Sequence, residues 1–233
     1  MAGYNLKNVD EVKEYLHNLR IEYEFGCCRE KKPEVCHLLG DYKESIDTDF
    51  KRAADLYKMN CNEYKYGPSC SKFGSYNMLG KGIEVDMKKA YEYTSKGCEL
   101  DDTRGCLHAG VIAVTGYQVE KDAARQIKKG VEMLTKACNA DNDRACYVLS
   151  DVYSSGINGY LEPDMKKAYE MSLKCCEAGN PYACANVSMM RRLGTGVEKN
   201  EEMADAFIQK AQVLLQELTV PKEQLKFHRG LKM

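Results

Sequence analysis

Cysteine stands at positions 36, 70, 106, 146 and 184, so it returns after 34, 36, 40 and 38 residues. Each of these follows another cysteine by eight or nine residues. Cys61 precedes Cys70, Cys98 precedes Cys106, Cys138 precedes Cys146, Cys176 precedes Cys184, and Cys27 or Cys28 precedes Cys36. A period of this length belongs to a helix–turn–helix unit stacked on copies of itself, each burying its apolar face on the next. The heptapeptide DMKKAYE, at 86–92 and unchanged at 164–170, lies two periods apart and opens the second helix of its unit. KRAAD at 51–55, KKGVE at 128–132 and MADAF at 203–207 hold the same place in the other units.

Met87, Ala90, Tyr91, Thr94, Gly97 and Cys98 recur at i, i+3, i+4, i+7, i+10 and i+11, and Met165, Ala168, Tyr169, Ser172, Cys175 and Cys176 repeat the spacing. That is one apolar stripe on a helix. Lys88, Lys89, Lys166 and Lys167 fall off it and are expected in solvent. Four residues after the second cysteine of each pair stands a small residue, Gly40, Gly74, Gly110, Ser150 or Ser188, on the same helix face. A small side chain there lets a neighbouring helix come close. Asp86 and Asp164 suit an N-cap or first turn, and glycine-rich links at 80–82, 156–159 and 194–196 turn the chain between helices.

The expectation is an all-α, tetratricopeptide-like solenoid of about five units, near 34–69, 70–103, 104–143, 144–181 and 182–218, wound as a right-handed superhelix. A first helix is expected over about 9–28. A last amphipathic helix at 200–218 would place Ala204, Phe207, Ala211 and Leu214 on one face. The stretch 219–233, with Lys222, Lys226, His228, Arg229 and Lys232, reads as a basic tail.

On one continuous helix, positions eight apart lie about 12 Å from each other, twice the Cα separation a disulfide spans. The chain must therefore reverse between paired cysteines. Pro33, Gly67-Pro68, the run Asn139 to Asp143, and Gly179-Asn180-Pro181 are residues that do this. The first cysteine then ends one helix and the second begins the next. The expected bridges are Cys27–Cys36, Cys61–Cys70, Cys98–Cys106, Cys138–Cys146 and Cys176–Cys184, which leaves Cys28 and Cys175 as free thiols. Gly26 before Cys27 matches the small residues before Cys98 and Cys138, which favours Cys27 over Cys28 in the first bridge; Cys28 is the alternative. Cys175 aligns with Gly97 and Ala137 and reads as an inert buried thiol, with a redox-active thiol as the alternative. Two readings compete with the bridges. Buried reduced cysteines would need no fixed spacing. Structural zinc favours C-x₂₋₄-C, which does not occur.

Twelve cysteines in 233 residues suggest an oxidising compartment. Yet the first 25 residues have neither the apolar core of a secretory signal nor the Arg-rich, acid-poor character of a mitochondrial presequence. No apolar run is long enough for a membrane span. A net charge of −1 gives no global field to hold nucleic acid or an acidic membrane.

The pattern C-x₇-C opening a helix, a glycine-rich link and then D-x-K-K-A-Y resembles the Sel-one-like repeat family in its cysteine-rich form. One branch of that form is a set of secreted bacterial proteins, sometimes labelled β-lactamases. The other is mitochondrial and found in animals. In size, in its two wider first hairpins and in the stretch CANVSMMRRLGTGVEK, the chain is similar to the mitochondrial branch over nearly its whole length. The resemblance implies a non-enzymatic assembly factor of the intermembrane space for respiratory-chain complexes, cytochrome c oxidase above all. It would act as a monomer that binds assembly proteins or subunits. The resemblance also implies disulfides inserted by the oxidative import relay of that compartment, although the C-x₇-C and C-x₈-C spacings here differ from that relay's twin C-x₉-C.

Neither G-x-x-x-x-G-K-[ST] nor G-x-G-x-x-G occurs, and a β-lactamase-like serine site is not expected. His37, directly after Cys36, and His108, two after Cys106, are the candidate ligands if the chain handles haem. The simpler reading makes them ordinary helix residues, with no cofactor and no metal. Most of the eleven methionines read as core. The alternatives to a scaffold are a haem-binding or thiol-redox protein of the intermembrane space and a secreted bacterial-type repeat protein.

Overall fold

The computed structural model describes residues 7–219. Lys222, Lys226, His228, Arg229 and Lys232 lie outside the described residues. Among the described residues eleven helices follow one another, and apart from one bridge between Ile157 and Leu161 these residues hold no β-structure. They form two compact units that divide between Leu100 and Asp101.

The first unit holds α1 (Val9–Cys28), α2 (Pro33–Ser45), α3 (Phe50–Tyr64), α4 (Gly67–Leu79) and α5 (Met87–Glu99), each packed on the next. Its core is aromatic. Tyr57 and Tyr76 meet edge to face at 5.5 Å, Phe73 and Tyr93 at 4.6 Å. The second unit holds α6 (Thr103–Val114), α7 (Ala123–Asn139), α8 (Asp143–Ser155), α9 (Met165–Glu177), α10 (Pro181–Leu193) and α11 (Glu201–Thr219). Its core is aliphatic, around Ile112, Leu134, Leu149 and Val187.

Short polar side chains start the helices. Asp49, Asp86, Asp122, Asn142, Asp164 and Asn180 each accept a hydrogen bond from the amide three residues on. Both copies of DMKKAYE therefore begin with a capping aspartate. The stripe is buried in each copy: Ala90, Tyr91, Thr94, Gly97 and Cys98 in one, Ala168, Tyr169, Ser172, Cys175 and Cys176 in the other. All four lysines off the stripe are exposed. Gly80 and Gly194 end α4 and α10 in the left-handed conformation, φ +67° and +72°, which a side chain would strain.

The small residue after each second cysteine is where the two helices of one repeat touch. A Cβ on Gly40 would lie 2.4 Å from the Tyr57 ring, on Gly74 2.5 Å from Thr94 Cγ2, and on Gly110 2.5 Å from Leu134 Cγ. In the last two repeats a serine serves instead, and its hydroxyl donates to a carbonyl of the facing helix: Ser150 to Ala168 at 3.1 Å, Ser188 to Ala204 at 2.6 Å.

The link between α6 and α7 is organised by a side chain. Gln126 is 4% exposed. Its amide donates to the carbonyls of Ala113 and Tyr117, and its oxygen accepts from the amides of Val119 and Glu120. Gln126→Ala is expected to cost about 2 kcal/mol of local stability, since four backbone groups lose their partner. Hydrogen exchange should accelerate at Val119 and Glu120 while the α10 amides stay protected.

Candidate functional site

Disulfides close the hairpin tips. Cys27–Cys36 joins α1 to α2, Cys61–Cys70 joins α3 to α4, Cys138–Cys146 joins α7 to α8, and Cys176–Cys184 joins α9 to α10. Their Cα atoms lie 4.6–4.7 Å apart. Cys98 and Cys106 are disulfide-bonded as well. All ten of these cysteines are buried. Cys28, at the end of α1, is a free and exposed thiol. Cys175 is free and fully buried, and its thiol donates to the Asp143 carbonyl at 3.2 Å. Burial, with Asp143 adding to it, pushes the Cys175 thiol up to about 12. At neutral pH it is therefore protonated and a poor nucleophile.

His37 lies in a polar knot of the first unit. Its Nδ1 is 2.9 Å from Ser69 Oγ, its Nε2 is 3.7 Å from Asp41, and its ring contacts Tyr57 and Tyr66. Asn60 donates to the same Ser69 Oγ at 2.7 Å. This is the order serine, histidine, aspartate, and Ser69-Cys70-Ser71-Lys72 has the S-x-x-K spacing of a β-lactamase-like serine site, which was not expected. Neither arrangement is built to meet a substrate. Ser69 has no exposed surface. Lys72 is drawn away to Glu44, at 2.8 Å, and Asp41, at 3.6 Å. His37 as a haem ligand would have to give up Ser69 or Asp41. His108, in the second unit, is half-buried, and burial lowers its pKa, followed by the charge of Arg104. Among the described residues no three His, Cys, Asp or Glu side chains gather as a metal site, and no helix is long and apolar enough to cross a membrane.

Glu44, at the edge of the knot, is paired with Lys72 and Lys81. Burial alone would raise its carboxyl, but hydrogen bonds and charge from Lys72 and Lys81 outweigh burial and bring it down to about 2. The folded value lies below the unfolded one, so the stabilisation is complete above about pH 4.5 and is lost as the pH falls toward 2. Glu44→Gln is expected to remove on the order of 3 kcal/mol at pH 7 and to flatten that acid limb. Denaturant melts of both proteins at pH 7 and pH 3 check this.

The second unit has a cleft of about 390 Å³ between α8 and α10, floored by α9. Tyr147, Ser150, Asp151 and Ser154 line it from α8, Met165 and Ser172 from α9, and Asn186, Met189, Met190 and Leu193 from α10. Met165, Met189 and Leu193 are 37%, 56% and 68% exposed. Among the described residues Met190 is buried and Met59, Met78, Met87, Met133 and Met171 are half-buried, so the core expectation fails at the exposed Met165, Met189 and Met203. An unbranched thioether left in water at a concave surface suits an adaptable contact.

The Sel1 repeat model matches residues 63–102, 110–142, 143–180 and 181–211. Over 264 aligned residues and 99% of both chains, the sequence is 39% identical to the Drosophila melanogaster cytochrome c oxidase assembly factor 7 homolog. The chain belongs to the Sel1 repeat proteins of the cytochrome c oxidase assembly factor 7 family. The Homo sapiens cytochrome c oxidase assembly factor 7 is 35% identical over 222 residues, 93% of this chain and 95% of the relative. Among solved structures, a Sel1 repeat protein from Oxalobacter formigenes superposes with a TM-score of 0.72 over 88% of this chain and 83% of that one. At 16% identity that likeness speaks for the Sel1 solenoid fold alone. Both walls of the cleft fall inside matched Sel1 repeats, while α1 and α2 lie ahead of the first.

Proposed function

We propose that this chain is a non-enzymatic assembly factor for mitochondrial respiratory-chain complexes, chiefly cytochrome c oxidase, and that it works in the intermembrane space by binding assembly proteins or subunits as a monomer. The observation that carries the reading is end-to-end similarity to relatives named for cytochrome c oxidase assembly. The physical form agrees with it. Helical hairpins stapled at their tips offer stiff side-chain surfaces, as the repeats of polypeptide-binding solenoids do. An oxidative relay of the intermembrane space would supply the disulfides. The buried Ser69 and the high-pKa Cys175 support a binding role over a chemical one.

The test is complementation. Mitochondria lacking the protein should lose assembled cytochrome c oxidase on native gels, and the wild-type chain should restore it. Normal amounts of the assembled complex in the deficient mitochondria would reject the reading, as would steady-state location of the protein in the cytosol.

A further inference from the structure

We propose that the cleft between α8 and α10 is a docking site for one amphipathic helix of a partner polypeptide. That helix lays apolar side chains on the methionine wall and sets a lysine or arginine against Asp151. The inference rests on the scaffold reading above and names the chemistry of the partner.

Tyr147, Asp151 and Ser154 follow one another on α8 at i, i+4 and i+7, and Asn186, Met189 and Leu193 on α10 at i, i+3 and i+7. Each wall is thus two turns long, about 10 Å. That is the length over which an amphipathic helix presents its i, i+4 and i+7 anchors. A volume of about 390 Å³ holds a few large side chains but not a helix backbone, so the guest helix lies along the mouth and inserts its anchors. The walls and the floor are helical apart from Thr195, just past the end of α10, and most of their backbone groups are bonded within their own helices. An extended peptide would find few backbone partners here for its own amides, whereas a helix brings its hydrogen bonds with it.

Charge decides the polar half of the guest. Asp151 is exposed and takes part in none of the ion pairs among the described residues. No basic side chain lines the cleft. Arg191 is committed to the Tyr169 hydroxyl and Arg192 to Asp205. One uncompensated carboxylate beside exposed thioethers favours a basic, apolar guest and repels an acidic one.

The probe is a labelled 14-residue helical peptide with leucines at i, i+4 and i+7 and an adjacent arginine, read by fluorescence anisotropy against the full-length oxidised protein. Saturable one-to-one binding is expected, with a peptide of scrambled leucine order at least about tenfold weaker. Met189→Glu with Leu193→Glu should weaken binding at least about tenfold at an unchanged melting temperature, since both side chains are exposed. Asp151→Arg should weaken it about tenfold, and a peptide with glutamate in place of its arginine should recover the loss. Equal binding of the scrambled peptide, or no recovery on charge exchange, overturns the proposal.

Two other occupants would overturn it as well. If glutamates at Lys222, Lys226, Arg229 and Lys232 of the full chain tighten peptide binding tenfold, the chain's own end fills the cleft. If wild-type protein dimerises and the Met189/Leu193 variant does not, a second copy does. Should the peptide fail while the protein still restores cytochrome c oxidase, the cleft assignment falls and the assembly role stands.

Discussion

In excess reductant the protein melts roughly 20–40 °C lower than when oxidised. The disulfides close loops of eight or nine residues at the helix tips. For a loop of that length the chain-entropy account assigns about 2–3 kcal/mol to each. The four staples within the two units contribute on the order of 10 kcal/mol, as much as the whole stability of an ordinary domain. For a chain of this size one kcal/mol moves the melting temperature by about 2–4 °C. Calorimetry with and without a phosphine reductant reads the shift directly. A melt that moves by only a few degrees would mean that core packing carries the fold and the staples are incidental.

The second large effect is expected at the joint between α4 and α5. A Cβ on Gly74 would stand 2.5 Å from Thr94 Cγ2, 2.8 Å from the Thr94 backbone nitrogen and 3.0 Å from the Ala90 carbonyl oxygen. Two of those three atoms are backbone, so no rotamer change relieves the clash and the helices must move apart. Gly74→Ser is therefore expected to cost about 3 kcal/mol, although serine serves at the matching positions 150 and 188. The difference lies in the facing residue. Ser150 meets Ser172, which has no branch, where Gly74 meets the methyl of Thr94. Adding Thr94→Ser should return about 1 kcal/mol in a double-mutant cycle by urea melts, since the backbone contact remains. A Gly74→Ser protein as stable as wild type would show that the joint tolerates spreading.

The period was legible in the sequence because one packing task is repeated. Asp86 and Asp164 begin helices, Ala90 and Ala168 sit at the same buried place, and the stripe from Tyr91 to Cys98 faces inward as its spacing demands. Local rules set all of these. Three other features depend on which distant segments meet. Gln126 sits in a helix, where glutamine ordinarily points to water, and it is buried only because residues 113–120 fold back over it. His37, Asn60 and Ser69 come from three different helices, and nothing in the spacing around Cys36 signals that they share hydrogen bonds. Met165 occupies a stripe position, yet it is the first residue of α9 and opens into the cleft. Met189 stands on the α10 face opposite the core. A helical spacing defines a face, and only tertiary packing decides whether that face meets protein or water.

The account depends on sulfur staples that fix the tips of stacked helical hairpins. The most direct test is intact mass after native protein from its own compartment is unfolded in maleimide without reductant. Two additions are expected, at Cys28 and Cys175. Three or more additions, or labelling at any of the ten bridged cysteines, would contradict it.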